Sequence, residues 1–168
     1  MCDRLPRCCA TDNDRGDKPT ILFVCTGNTC RSPMAELLLI SILKEAGLKA
    51  KVHSAGVSAW GMSPASENAV AAMRKQKLDL SSHTSSQLTV EILAEANLTL
   101  TMTSGHLQIV QALYPQANAF TLCQYADKKG DVSDPFGGDL ETYIKCATQI
   151  KELIEKSITK LKEELWKV

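Results

Sequence analysis

The sequence predicts an α/β fold in which a four-stranded parallel sheet carries helices on both faces. Short apolar runs alternate along the chain with longer segments of helical periodicity. From Asp139 onward, apolar residues recur at three- and four-residue intervals, which predicts one long amphipathic helix packed on the sheet. Ligands of such folds bind beyond the carboxyl ends of the strands. Functional residues are therefore expected in the loops that follow strands.

The individual elements follow from local signals. The apolar and β-branched runs 21–24, 50–53, 98–102 and 119–123 are predicted strands, and 33–46, 65–76, 89–96, 106–113 and 139 onward are predicted helices. Ser32 can cap the first helix, Pro33 fits its first turn, and Gly47 stops it. Thr89 caps the third helix. Segment 127–138 is rich in turn residues and is predicted to be a loop.

One domain is expected over residues 20–168, since a chain of 168 residues can bury a sizeable core and shows neither a repeat nor a linker. Residues 1–19 are polar and irregular, which predicts a flexible N-terminal extension before the first strand. The three cysteines of this extension, Cys2, Cys8 and Cys9, are expected to be incidental thiols.

Composition excludes several classes of function. Lys and Arg together number 19, as do Asp and Glu, so the net charge gives no argument for nucleic-acid or membrane binding. The sequence shows no apolar run of membrane-spanning length and no apolar region typical of a signal peptide. Its seven cysteines have no regular spacing and do not suggest a disulfide framework. These features predict a cytoplasmic monomer.

The segment 24–33, Val-Cys-Thr-Gly-Asn-Thr-Cys-Arg-Ser-Pro, fills the turn between the first strand and the first helix. Such a turn directs backbone N–H groups at one point near the positive end of a helix dipole, which makes an anion site sized for a phosphate. The same field is expected to lower the pKa of Cys25, a candidate thiolate nucleophile. Arg31 can bind two oxyanion oxygens at once, and Gly27 and Asn28 tolerate positive φ angles.

The same residues allow two other interpretations. Cys25 could be an ordinary buried cysteine that precedes a surface arginine. Alternatively, Cys25 and Cys30 could be metal ligands, but no matching Cys/His pair lies nearby to complete a site. Neither a metal nor any other cofactor is predicted.

Residues 25–36, Cys-Thr-Gly-Asn-Thr-Cys-Arg-Ser-Pro-Met-Ala-Glu, resemble the active-site loop of the low-molecular-weight protein tyrosine phosphatase family. The resemblance implies a hydrolase acting on phosphorylated proteins through a cysteinyl-phosphate, with Cys25 as nucleophile and Arg31 stabilising the transition state. Cys30 matches a second loop cysteine that can trap an oxidised Cys25 as a disulfide. The residues that would bind the phosphoryl group are Thr26, Gly27, Asn28, Thr29 and Cys30.

A general acid must protonate the leaving group from another loop. The best candidate is Asp134 in the run 134–138, Asp-Pro-Phe-Gly-Gly. An Asp-Pro pair is by itself ordinary turn chemistry. The family resemblance implies that this aspartate acts first as the acid and then as the base that activates water. Asp131 is the fallback.

The resemblance also implies three supporting residues, Ser32, Ser54 and His83. In the family, the residue matching Asn28 is held in a strained conformation by hydrogen bonds from the residues that match these three. Ser32 would in addition hydrogen-bond the thiolate. The other two histidines of the sequence are expected to be structural or exposed.

The identity of the phosphorylated residue depends on the position two before Arg31. Tyrosine-specific members usually carry Ile or Leu there, whereas Thr29 makes the loop similar to that of bacterial protein arginine phosphatases. This similarity covers 20–162 and implies phosphoarginine as the substrate. Phe136 and Trp60 are expected to line the crevice, and Trp60 keeps a tyrosine phosphatase as the alternative.

Two further functions share the phosphate-binding chemistry. Arsenate reductases need resolving cysteines at about 80–90, and that segment contains none. That function is therefore excluded. A non-catalytic phosphate-binding adaptor remains a second alternative, although the combination of Cys25, Arg31 and Asp134 argues against it.

Overall fold

Four strands and six helices follow one another in the computed structural model, which describes residues 18–167. In chain order they are β1 (Thr20–Cys25), α1 (Arg31–Glu45), β2 (Lys51–Gly56), α2 (Glu67–Lys75), α3 (Val90–Glu95), β3 (Leu98–Thr101), α4 (Ser104–Leu113), β4 (Ala119–Thr121), α5 (Leu122–Tyr125) and α6 (Leu140–Leu165). The predicted extension over 1–19 falls, apart from its last two residues, outside the described part of the chain.

The strands form one parallel sheet in the order β2-β1-β3-β4. The apolar run of β1 occupies a central position, where both faces are covered. Ile21 and Phe23 belong to the larger apolar cluster on one face, whereas Leu22 and Val24 belong to the smaller cluster on the other. A strand buried on both faces needs a continuous apolar run. The predicted fold class is confirmed, and Cys25 ends the central strand at its carboxyl edge.

Helices cover both faces of the sheet. The larger cluster takes side chains from α1, α2, α5 and α6, and the smaller one takes Leu93 of α3 and Val110 of α4. The long carboxyl-terminal helix buries a stripe comprising Tyr143, Cys146, Ala147, Ile150, Leu153, Ile154, Ser157 and Leu161. Within residues 18–167, none of the helices combines the length and apolar character needed to span a membrane.

The second strand is longer than predicted, and this matters for function. Instead of ending at His53, it continues to Gly56 because Ser54 and Gly56 still pair with Phe23 and Cys25 of β1. The extra pairs bring the Ser-Ala-Gly segment beside the turn that follows Cys25.

The fourth strand is shorter than predicted. It ends at Thr121, and Leu122–Tyr125 forms the short helix α5 instead of continuing the strand through Cys123. Thr121 accepts a hydrogen bond from the Gln124 N–H, and the Gln124 side chain accepts one from the Thr121 N–H. This capping box is a helix-start signal that outweighs the β-propensity of the run.

The first helix begins two residues earlier than predicted, at Arg31 rather than Pro33. Its N-cap position is Cys30, which makes no side-chain capping hydrogen bond. The prediction that Ser32 caps this helix is wrong, because its hydroxyl is engaged by the preceding turn instead.

Candidate active site

Residues 25–31, hereafter the phosphate loop, connect the carboxyl end of β1 to the amino end of α1. Two observations explain its tight path. Asn28 has a φ of 56°, in the left-handed region. Gly56 of β2 lies directly against the loop, since an added Cβ there would come 2.5 Å from the Thr26 carbonyl oxygen and 2.9 Å from the Asn28 nitrogen. Only glycine permits this approach.

Asn28 is fully buried, and its polar groups are fixed from several sides. Its Nδ2 donates to Ser32 Oγ and to Ser54 Oγ, each at 2.9 Å. Its Oδ1 accepts from the Ser86 N–H at 2.8 Å, and its backbone carbonyl accepts from His83 Nε2 at 2.8 Å. The structure thus brings the three supporting residues together around Asn28, although Asn28 donates to both serines rather than accepting from them.

Cys25 is 2% exposed, and its Sγ lies 2.8 Å from Ser32 Oγ. Burial raises the pKa of the Cys25 thiol, whereas the Ser32 hydroxyl, the backbone N–H groups of Ser32 and Asn28, and the charge of Arg31 lower it. Burial is the largest of these contributions, so the pKa lies above its ordinary value. The expectation of a lowered pKa is thus corrected, because it considered only the field of the loop and left out the cost of burying a thiolate.

Arg31 is almost completely buried at the start of α1. Its Nη1 donates to the Val132 carbonyl oxygen at 3.0 Å, and its Nη2 lies 3.2 Å from Asp134 Oδ2. The guanidinium therefore joins the phosphate loop to residues 131–138, hereafter the acid loop. This fixed, planar cation can bind two oxygens of a phosphoryl group.

Asp134 stands on the acid loop with its side chain about half exposed. Its Oδ1 accepts from the Phe136 N–H at 3.1 Å, and Pro135 between them is buried. Gly137 takes a φ of 78°, which completes the turn. Asp131, the fallback acid, lies elsewhere: its carboxylate accepts from the N–H and the hydroxyl of Ser104 at the start of α4.

A cavity of about 240 Å³ opens between the two loops. It is lined by Cys25, Thr26, Gly27, Thr29, Cys30, Arg31, Asp134 and Phe136. Phe136 is 80% exposed at this cavity. Trp60 is 87% exposed and is not among the residues within 18–167 that line this cavity. The structure therefore does not bring it together with the other substrate-binding candidates.

Cys30 is almost completely buried, and its sulfur contacts hydroxyl groups. Its Sγ lies 3.3 Å from the Tyr143 hydroxyl and 3.4 Å from Ser66 Oγ. Cys25 and Cys30 are both free thiols. Among residues 18–167, no group of three His, Cys, Asp or Glu side chains could hold a metal ion.

Sequence reasoning missed three residues that shape the site. Gly56 allows the phosphate loop to pass, and Glu36 accepts a hydrogen bond from Ser54. His106, expected to be structural or exposed, is buried, and its Nε2 lies 2.9 Å from Thr26 Oγ1. Two of these residues belong to motifs that the sequence shows: Gly56 ends the Ser-Ala-Gly run, and Glu36 ends the active-site motif. The contact of His106 spans 80 positions of sequence, so no local pattern indicates it.

Comparisons with known proteins agree with this geometry. The sequence model of the family described as low molecular weight phosphotyrosine protein phosphatase matches residues 20–167. The protein-arginine-phosphatase of Bacillus subtilis is 42% identical over 147 residues, covering 86% of this chain and 97% of that protein. The low molecular weight protein-tyrosine-phosphatase PtpB of Staphylococcus aureus is 38% identical over 140 residues, covering 81% of this chain and 94% of that protein.

A solved structure also resembles this fold closely. It is that of a cysteine-to-serine mutant of the YwlE arginine phosphatase, which carries a phosphorylated active-site serine. Its TM-score is 0.82 at 41% sequence identity, and the match covers 86% of this chain and 97% of that one.

Proposed function

Because the chain belongs to the low molecular weight phosphotyrosine protein phosphatase family, we propose that it is a protein phosphatase that hydrolyses phosphoarginine. The reaction proceeds through a cysteinyl-phosphate on Cys25 and uses no metal. Arg31 and Asp134 complete the catalytic set, and both line the same cavity as Cys25.

The observation that carries the substrate assignment is Thr29. This half-buried residue lines the cavity, where its hydroxyl gives a short and partly polar wall. A guanidinium is planar and rich in hydrogen-bond donors, so such a wall suits it better than a branched aliphatic one does. The 42% identity to the protein-arginine-phosphatase of Bacillus subtilis supports the same assignment.

In the first chemical step, the proton of the Cys25 thiol, whose pKa is raised by burial, passes by way of a phosphoryl oxygen to the Asp134 carboxylate. The Cys25 thiolate then attacks phosphorus and the P–N bond breaks. Asp134 gives its proton to the departing nitrogen, because an unprotonated guanidine anion would be a very poor leaving group. The products of this step are phosphoryl-Cys25 and free arginine side chain. Arg31 and the N–H groups of the phosphate loop stabilise the charge on the equatorial phosphoryl oxygens.

In the second step, the Asp134 carboxylate takes a proton from a water molecule, which attacks phosphorus. The S–P bond breaks and the electron pair returns to sulfur, so Cys25 leaves as a thiolate and inorganic phosphate is released. The Ser32 hydroxyl, 2.8 Å from the sulfur, stabilises this thiolate in both steps.

The ion pair between Arg31 and Asp134 supports a role for both residues at the phosphoryl group. The carboxylate lies 3.2 Å from the guanidinium, and a bound phosphoryl group would compete with it for Arg31. Once phosphoryl oxygens take over Arg31, Asp134 is released to face the leaving group. The half-exposed carboxylate has room for this movement, whereas the buried guanidinium does not.

Steady-state kinetics on a phosphoarginine peptide and a matched phosphotyrosine peptide test the proposal. We expect kcat/KM to favour phosphoarginine, and we expect Thr29→Ile to weaken or reverse that preference because the larger side chain narrows the cavity. Thr29→Ser is the matched control and keeps the preference. A parent enzyme that prefers phosphotyrosine would overturn the substrate assignment.

The second candidate function, a tyrosine phosphatase, is favoured by one specific observation. Phe136 is 80% exposed and lines the cavity, where it could pack against a phenyl ring. The identity of 38% to the tyrosine phosphatase PtpB also supports this alternative. A non-catalytic phosphate-binding adaptor would bind phosphate but hydrolyse neither peptide. In such a protein, Cys25→Ser could change only the affinity for phosphate.

The proposal includes a cytoplasmic monomer that acts on phosphorylated proteins and binds neither nucleic acid nor membranes. A reduced Cys25 is required for attack, which a reducing compartment provides. The balance of 19 basic and 19 acidic residues supports the exclusion of polyanionic partners. Size-exclusion chromatography with light scattering checks the oligomeric state, and a dimer would contradict that part of the proposal.

A further inference from the structure

Thr26 follows the nucleophile in the phosphate loop and is one of the residues that line the cavity. Its backbone carbonyl accepts from the Ser58 N–H at 2.9 Å, so the main chain is fixed here. Its Oγ1 lies 2.9 Å from Nε2 of His106. Thr26 is exposed, whereas His106 is 6% exposed behind it. The hydroxyl is thus held from the protein side by one buried ring.

The hydrogen bonds of His106 favour one tautomer. Nδ1 lies 3.0 Å from Thr103 Oγ1, and that same oxygen accepts from the His106 backbone N–H at 3.2 Å. The Thr103 hydroxyl hydrogen is then available to donate to Nδ1. With Nδ1 as an acceptor, a neutral ring carries its hydrogen on Nε2, and Nε2–H donates to Thr26 Oγ1.

Charged groups around the ring agree with a neutral imidazole. Burial is the largest influence and lowers the pKa of His106 from 6.5 to about 4. The charge of Arg31 acts in the same direction, while the carboxylates of Asp134 and Asp131 oppose it. At neutral pH the ring therefore has one N–H, and the favoured tautomer directs it at Thr26.

We infer that His106 is a positioning residue: its Nε2–H donates to Thr26 Oγ1 and turns the Thr26 hydroxyl hydrogen into the cavity, where it donates to a phosphoryl oxygen of the substrate. An oxygen that accepts from the protein side keeps its own hydrogen free for the ligand side. Thr26 thereby adds a side-chain donor to the backbone donors of the phosphate loop. This inference rests on the proposed phosphatase function and adds a residue pair to it.

A double-mutant cycle tests the inference. Thr26→Val removes the hydroxyl at nearly constant shape, and His106→Leu removes the ring donor. Each single change is expected to lower kcat/KM on a phosphoarginine peptide about tenfold, the effect of one hydrogen bond to a charged group. Because His106 acts through Thr26, the double variant should lose about tenfold as well, not about a hundredfold.

Competitive inhibition by inorganic phosphate supplies a second readout. A loss of packing alone would not change the inhibition constant equally in variants of Thr26 and of His106. Its inhibition constant should rise by a similar factor in Thr26→Val and in His106→Leu. Thr26→Ser, which restores the hydroxyl that Thr26→Val lacks, should recover most of the phosphate affinity lost in Thr26→Val. His53→Gln, a change at an exposed histidine on β2, is the control for substituting a histidine.

Independent losses in the double variant would overturn the inference, as would a Thr26→Val enzyme equal to the parent. The Thr26→Val result decides even where His106→Leu fails to fold, since it leaves the Thr103 contact of the ring in place. Failure of the proposed function is a separate result: the parent would then hydrolyse neither the phosphoarginine peptide nor para-nitrophenyl phosphate.

Discussion

The phosphate loop and the acid loop meet at Arg31 but are held in different ways. The phosphate loop is fixed from beneath: Asn28 is fully buried and hydrogen-bonded from four directions, and Gly56 leaves no free space under it. Asp134 on the acid loop is half exposed, and it is joined to the phosphate loop by the ion pair with Arg31.

The difference follows from what each loop has to do. Charge stabilisation in the transition state works best with donors that need no rearrangement, which explains a buried, fully bonded loop around Cys25. A carboxylate that acts first as an acid and then as a base must exchange partners between the two steps. A half-exposed side chain paired with a replaceable partner meets that requirement.

Removing the proton donor from the acid loop should have the largest effect on activity. Asp134→Asn keeps the shape of the side chain but can neither give nor take a proton, so kcat on a phosphoarginine peptide should fall by about 10²–10⁴-fold. Phosphate binding should persist, because the phosphate loop is unchanged. Asp131→Asn is the matched control, and a larger loss in that variant would assign the acid to Asp131.

Displacing the phosphate loop should reduce activity somewhat less than the loss of the Asp134 carboxyl group does. In Gly56→Ala the added methyl group would lie 2.5 Å from the Thr26 carbonyl oxygen, so the loop must shift. A displacement of about 1 Å near the reacting atoms costs about 10²-fold in rate. Phosphate affinity should fall together with kcat/KM. Gly105→Ala, whose Cβ would meet a neighbour only at 3.7 Å, is the control. Equal activity in Gly56→Ala would contradict a tightly supported loop.

The smallest effect concerns the pH dependence of stability, to which the buried residue His106 contributes. The pKa of His106 is lowered, chiefly by burial, from 6.5 to about 4. Between pH 6.5 and about 4, the unfolded chain therefore binds a proton on this histidine and the folded chain does not. The free energy of unfolding decreases as the pH falls through this range. The contribution lost by pH 4 is about 2–3 kcal/mol.

Denaturant unfolding at several pH values measures this dependence. His106→Gln should show a flatter stability profile between pH 6.5 and 4 than the parent, with little difference in slope above pH 7. Parallel profiles for the two proteins across the whole range would show that His106 does not carry the linkage.

Much of the fold could be predicted because it depends on local patterns. The continuous apolar run of β1 and the three- to four-residue spacing along α6 indicate burial and helix without reference to the rest of the chain. The strand predicted through Cys123 was wrong because two local patterns overlap there. There, a capping box between Thr121 and Gln124 competes with a short apolar run that fits either state.

The site was predictable to the extent that it lies in one segment. Residues 25–31 share a turn, so their clustering needed no tertiary information, and the family resemblance added Asp134. The burial of Cys25 and the contact between His106 and Thr26 depend on how distant elements pack. For that reason, neither the direction of the Cys25 pKa nor the role of His106 could be found from spacing alone.

Acid quenching followed by peptide mass spectrometry is the most direct test of covalent catalysis by Cys25. The reaction of Asp134→Asn with para-nitrophenyl phosphate is suited to this measurement. The nitrophenolate leaving group of this substrate needs little protonation, so attack by Cys25 proceeds in the variant. Hydrolysis of the cysteinyl-phosphate is slow because it requires a base. We expect one phosphoryl group to accumulate on Cys25. Product formation without a phosphorylated cysteine, or phosphorylation at Cys30 instead, would contradict it.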